Sequence, residues 1–314
     1  MRKYLFCFTI LKASILVGQG DSVNTSFATY SDSLQTLFTA VYKANNDEEM
    51  LANNKVVVSY FRYVLDQKGS YEYAFRNIKD AGIKESPDGR FKLITWNIPL
   101  KDGTHKYFGF VHSKENIKKK SGVFQKNKAF RYRVFPLNDV SANVTNAPHY
   151  VGVPTKWYGM LYYDIIVKKS KSKVYYTLLA WDGNNKYSTK KIIDVLVFDS
   201  RGLPRFGANI FTMPRSGSKR RVIFEFDANC AMSLKFDSKK DSIVFDHLSP
   251  REEQLVGQYQ YYCTDFTYDG FGFSKGKWRY GKFLNVRNQK NARDKWYRSP
   301  NSDKDFIRSD QITH

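Results

Sequence analysis

The chain has 314 residues, with 51 Lys+Arg against 30 Asp+Glu and a formal charge of +21. Hydrophobic residues make up 42% and aromatics 16%, enough for a sizeable core, which excludes disorder throughout. Nine prolines and 19 glycines exclude a collagen-like or Pro-rich chain. After the N-terminus there is no apolar run of about 18 residues, which argues against a transmembrane span.

Residues 1–20 read as a secretory signal peptide. Arg2 and Lys3 precede the apolar stretch from Tyr4 to Leu11, and Ala13 to Val17 lead into Gly18 and Gly20. Lys12 interrupts that stretch, and a buried N-terminal strand is the competing reading. Cleavage there removes three cations and no acid, taking +21 to +18. The expected location is therefore exported: periplasmic, outer-membrane-associated or extracellular. Cys7 leaves with the leader, and Cys230 and Cys263 remain. In an oxidising compartment these two can form a disulfide, or they can stay as separate buried thiols.

Residues 21–85 form a predicted helical segment. Tyr30, Leu34, Leu37, Phe38, Val41 and Tyr42 recur at helical spacing behind Ser31 or Asp32 as a cap. Met50 to Leu65 repeat the pattern up to Gly69, and Tyr71, Ala74, Phe75 and Ile78 suggest a short third helix. At Ser86-Pro87-Asp88-Gly89 the pattern changes to short aromatic and β-branched runs between turn signals. Strands are expected at 91–98, 105–112, 129–135, 158–168, 173–181, 190–198, 204–211, 220–226, 231–237, 242–247, 257–262 and 277–283. The gaps are hairpin length, so residues 86–284 should form an antiparallel meander. The fold class is mainly β, arranged as a propeller, a sandwich or an open barrel. Phe-Asp recurs at 198–199, 226–227, 236–237 and 245–246, placing a turn-starting Asp at strand ends. Residues 285–314 are basic and poor in aliphatics, and read as a disordered tail.

Several stretches resemble a family of uncharacterised secreted proteins of Bacteroidota. They are SPDGRFKLITWNIPLKDGTHKYFGFV at 86–111, WYGMLYYDII at 157–166 and YYTLLAWDGNNKYSTKKIIDVLVFD at 175–199. RVIFEFDANCAMSLKFD at 221–237, IVFDHLSP at 243–250 and GQYQYYCTDFTYDGF at 257–271 complete the set. The resemblance covers roughly residues 25–283. It implies export and a mostly β fold, and brings no activity, cofactor or functional residue.

The sequence has no P-loop, G-x-S-x-G elbow, H-E-x-x-H or EF-hand loop. His105 and His112 lie seven residues apart in one expected strand, hence on opposite faces, which argues against a shared metal site. Asp246-His247 is either an oriented base or turn chemistry. Asp182-Gly183-Asn184-Asn185 reads as a tight turn rather than a calcium loop, because one Asp with two Asn is a poor charge set. No cofactor or metal is implied. Lys114 to Arg133, Lys168 to Lys173 and Arg215 to Arg221 are basic clusters, read as solvated surface. A nucleic-acid partner is not expected of an exported chain without a recognition motif. An anionic envelope polymer, a glycan or another envelope protein fits better.

The leading expectation is an exported, non-enzymatic binding or scaffolding protein of the cell envelope. The alternative is an envelope hydrolase acting on glycans or peptides. Trp96 and Trp181 fall inside strand patterns and should be core. Trp157 and Tyr158 follow the Pro154-Thr155-Lys156 loop, so a shallow binding face is expected around Trp157, Tyr158, Asp182, Asn184 and Asn185.

Overall fold

A computed structural model of the chain describes residues 19–117, 129–214 and 217–281. The expected leader and basic tail, and Lys118 to Lys128 of one basic cluster, lie almost wholly outside the described residues.

Two helices come first, α1 (Gln19–Tyr42) and α2 (Asp47–Leu65). Asn46 caps α2, its side chain accepting from the Glu49 amide, and three acids fill the first turn, where they complement the helix dipole. Ser31, expected as a cap, is a buried residue inside α1. The third helix does not form: residues 71–81 are turns and bends, and Phe75 sits at φ +49. Tyr71, Phe75 and Ile78 are nevertheless buried, so their helical spacing reports burial rather than a helix.

The strands make three sheets. The first has the order β1-β2-β3-β4, with β1 (Gly82–Glu85), β2 (Phe91–Pro99), β3 (His105–Ile117) and β4 (Ala129–Asn138). The second joins β5 (Leu161–Ser170), β6 (Lys173–Asp182), β7 (Ser188–Phe198) and β11 (Val222–Asp227), with β8 (Pro204–Phe206) on β7. The third runs β10-β9-β15-β14-β13-β12. Its members are β9 (Phe211–Met213), β10 (Gly217–Lys219), β12 (Leu234–Asp237), β13 (Ser242–Pro250), β14 (Tyr262–Ser274) and β15 (Lys277–Gly281). Described pairings between named strands are antiparallel except that of β15 with β9.

The layers stack as helices, first sheet, second sheet, third sheet, held by three apolar interfaces. Leu34, Phe38, Phe61 and Val64 pack on Ile94, Trp96, Ile98 and Phe110. The opposite face of that sheet, with Leu93, Tyr107 and Val111, meets Tyr176, Leu178, Ala180 and Ile192. The far face of the second sheet, with Leu179, Ile193 and Val195, meets Phe211, Ile243, Phe271 and Trp278. The two inner sheets are therefore covered on both faces, and their central strands read as near-continuous apolar runs. Each fully buried large side chain contributes about 1.5–3 kcal/mol. Buried indoles keep a partner: Trp96 donates to Asn54 Oδ1 at 2.8 Å and Trp278 to Thr177 Oγ1 at 2.9 Å. Of the expected architectures the stacked sandwich is the one realised; no closed barrel or propeller ring occurs among the described residues.

The elements differ most from expectation in three places. β1, assigned above to the helical segment, pairs along β2. Residues 204–211 split into β8 and β9 around Gly207, whose φ is +87. Residues 259–261 are a short 3-10 turn, and the strand that follows, β14, runs through a stretch rich in Asp, Thr and Gly.

Candidate functional site

The face expected around Trp157 and Tyr158 does not exist. Trp157 is 0% and Tyr158 5% exposed. Asp139 bridges to Trp157, and that pairing turns both rings inward, between the first two sheets. Trp157 Nε1 donates to the Tyr162 hydroxyl at 2.9 Å, and the Arg221 guanidinium lies 4.9 Å from the Tyr158 ring centre. Burial, then the Asp182 carboxylate, pushes the Tyr158 phenol well up. Tyr158 and Asp182 are thus electrostatic neighbours under a roof rather than parts of a surface.

The 182–185 turn is locked by its own polar groups. Asp182 Oδ1 accepts from Tyr107 at 2.6 Å and from the Asn184 amide at 2.8 Å. Asn184, at φ +51, donates to Ser188 and accepts from Lys190 at 2.6 Å. Asn185 accepts from the Tyr187 and Ser188 amides. These side chains hold a tight turn. Asp199, Asp227 and Asp237 do the same after their strands, each accepting from the amide two residues on.

The cysteine alternatives resolve to a disulfide, Cys230–Cys263, with Cα atoms 5.8 Å apart. It ties the loop after β11 to the start of β14. Arg221, expected in a solvated basic cluster, is wholly buried and paired with Asp194 at 2.8 Å. His105 and His112 do point to opposite faces: His105 packs on Trp181, and His112 on Tyr71.

The strongest constellation lies beside the disulfide, at a break in the β13–β14 ladder. Leu248 pairs with Thr264 and Asp246 with Tyr268, so His247 alone faces residues 265–267. Such a bulge re-aims side chains. Asp246, expected as the partner of His247, instead accepts from the Ser233 amide at 2.8 Å. His247 turns the other way and bonds Asp269 Oδ2 through Nδ1 at 2.7 Å. Tyr280 donates its hydroxyl to the same oxygen. Burial, then the bond to Asp269, pushes the Tyr280 phenol up, so it stays a donor. Asp269 is 2% exposed and accepts from both, so Nδ1 of His247 is the donor in that bond. Nε2 is then the ring nitrogen outside that bond, 4.0 Å from Asp265 Oδ2. Burial works to raise the Asp265 carboxyl, but the Thr267 hydroxyl and amide, with His247, hold it below the usual range.

The middle residue of the bulge is Phe266, at φ +66 and 85% exposed. His247, Asp269 and Tyr280 line a groove of ≈ 690 Å³ at the open edge between the second and third sheets, with Phe224, Phe245 and Lys219 on its walls. No Ser, Thr or Cys is among its described lining residues, which do include the carboxylates of Asp246 and Asp269. Sequence spacing gave no sign of the Asp269 contact, which strand register creates across 22 residues.

No family model matches the chain, and neither a curated protein nor a solved structure is detectably similar to it.

Proposed function

We propose that the chain is an exported, non-enzymatic binding protein of the cell envelope, and that it takes a glycan at the His247 groove. The observation that carries this reading is Phe266. A bulky residue in the left-handed region costs about 1–2 kcal/mol, and a ring this exposed recovers almost none of it by burial. Phe266 and Asp265 do not line the groove itself but sit on the bulge that faces His247, and an exposed ring there suits a sugar: the ring stacks on C–H faces while neighbouring polar groups orient hydroxyls. The signal-like N-terminus and the disulfide support export.

A glycan array probed with the mature chain tests the reading, with Phe266→Ala and His247→Gln run alongside. Retention on at least one glycan, weakened in both variants, supports it; retention on none, or equal retention by all three chains, refutes it. The orientation of His247 favours one second reading, an envelope hydrolase in which Nε2 takes a proton from water. New reducing ends released from an array hit, and lost in His247→Gln, would select the hydrolase.

A further inference from the structure

A second groove, of ≈ 640 Å³, opens where the β5–β6 hairpin, the end of β7, β8 and the loop after it meet. Arg90, Lys173, Arg205 and Arg220 line it, with Asp199 as the carboxylate among them. Asp199 is already committed. Its Oδ1 accepts the Arg201 and Leu203 amides, each at 2.9 Å, and those backbone bonds hold its carboxyl below the usual range. Arg205 approaches its other oxygen at 3.4 Å. The floor is apolar and aromatic: the Arg90 guanidinium lies 4.4 Å over the half-buried Phe198 ring. Stacking fixes the plane of a guanidinium and leaves its edge donors for a ligand. Arg220 spends one donor on the Gly207 carbonyl at 3.1 Å. A guanidinium has five donors, so Arg205 and Arg220 keep most of theirs.

The two grooves are neighbours. Lys219 lines the His247 groove and Arg220, the next residue, lines this one. The ridge between them is anchored, because Pro148 O accepts the amides of Arg220 at 2.9 Å and Arg221 at 3.2 Å. A ligand longer than one groove would cross that ridge from a neutral, hydroxyl-matching site into a cationic one.

We infer that the groove of Arg90, Lys173, Arg205 and Arg220 binds the acidic substituents, carboxylate or phosphate, of an anionic glycan polymer. This rests on the glycan reading of the His247 groove and names the ligand class. The mature chain is titrated calorimetrically with oligogalacturonate, its methyl-esterified neutral counterpart, poly(glycerol phosphate), monomeric galacturonate and inorganic phosphate. Lys173→Glu/Arg205→Gln removes two solvent-facing cations. Lys55→Glu/Arg76→Gln changes the charge equally at exposed sites elsewhere. A native melting temperature for both variants establishes that they fold.

The expected result is salt-sensitive binding of a charged polymer, weakened about tenfold or more in the groove variant and little changed in the control variant. Whichever polymer binds more tightly identifies carboxylate or phosphate as the substituent. Equal weakening in both variants means diffuse attraction to a basic protein and overturns the site. Monomer or inorganic phosphate binding as tightly as the polymers means a free-anion site and overturns the polymer. Binding of the neutral glycan with no gain from charge overturns this inference and leaves the glycan reading standing. Binding of none of the five ligands overturns the inference; the array decides the glycan reading separately.

Discussion

His112 supplies the sharpest test of the helix–sheet interface. Its ring is 1% exposed on β3, packed edge-on to Tyr71 with centroids 5.0 Å apart, and its Nδ1 has no partner among the described residues. Burial, then the neighbouring Lys92 ammonium, lowers its pKa from 6.5 to about 4, with Arg62 acting in the same direction. Glu72 and Asp66 oppose them. A histidine depressed in the folded state takes up its proton more readily when unfolded. Its neutral form therefore favours folding above pH 6.5, and that stability is lost as the pH falls from 6.5 towards 4. The full drop corresponds to about 3 kcal/mol, of which about 2 kcal/mol is lost between pH 7.5 and pH 5. His112→Phe keeps the ring and removes the titration. Urea unfolding of both chains at the two pH values should show wild type losing about 2 kcal/mol more than the variant. Parallel losses in the two chains would show that His112 takes up its proton within the folded protein, and the buried neutral imidazole would be refuted.

Three further outcomes follow from the geometry. Asp194→Ala leaves the Arg221 cation buried and uncompensated, and should cost about 3–5 kcal/mol in urea unfolding; Asp194→Leu/Arg221→Met should recover most of it. Cys230→Ala/Cys263→Ala should lose about 3–4 kcal/mol, from the 33-residue separation closed by the bridge, and the unfolded, unreduced full chain should label at Cys7 alone. Phe266→Gly should raise stability by about 1 kcal/mol, by relieving the left-handed strain, while weakening glycan retention on the array; a fall in stability would show that the ring contributes to packing.

The sequence by itself determined which segments form α1 and α2 and where β2, β6 and β7 run, but not β14, one of the two longest strands. Helical spacing from Tyr30 to Tyr42, the runs at 91–98, 173–181 and 190–198, and the Asx turns at Asp199, Asp227 and Asp237 are local facts, set by backbone sterics and side-chain period. Burial of Trp96 was legible from its face-mates Ile94 and Ile98 for the same reason. Tertiary structure alone decided what those faces meet. Tyr71, Phe75 and Ile78 bury without a helix because the layer needs their apolar side chains, not helical hydrogen bonds between them. Trp157 turned inward because the gap between the first two sheets had to be filled, a demand absent from its local sequence. Asp182, Asn184 and Asn185 kept the turn that their types implied but spent their oxygens on Tyr107, Lys190 and nearby amides. His247 found Asp269 rather than Asp246 because strand alternation sends adjacent side chains to opposite faces, while register across the bulge places Asp269 beside the ring.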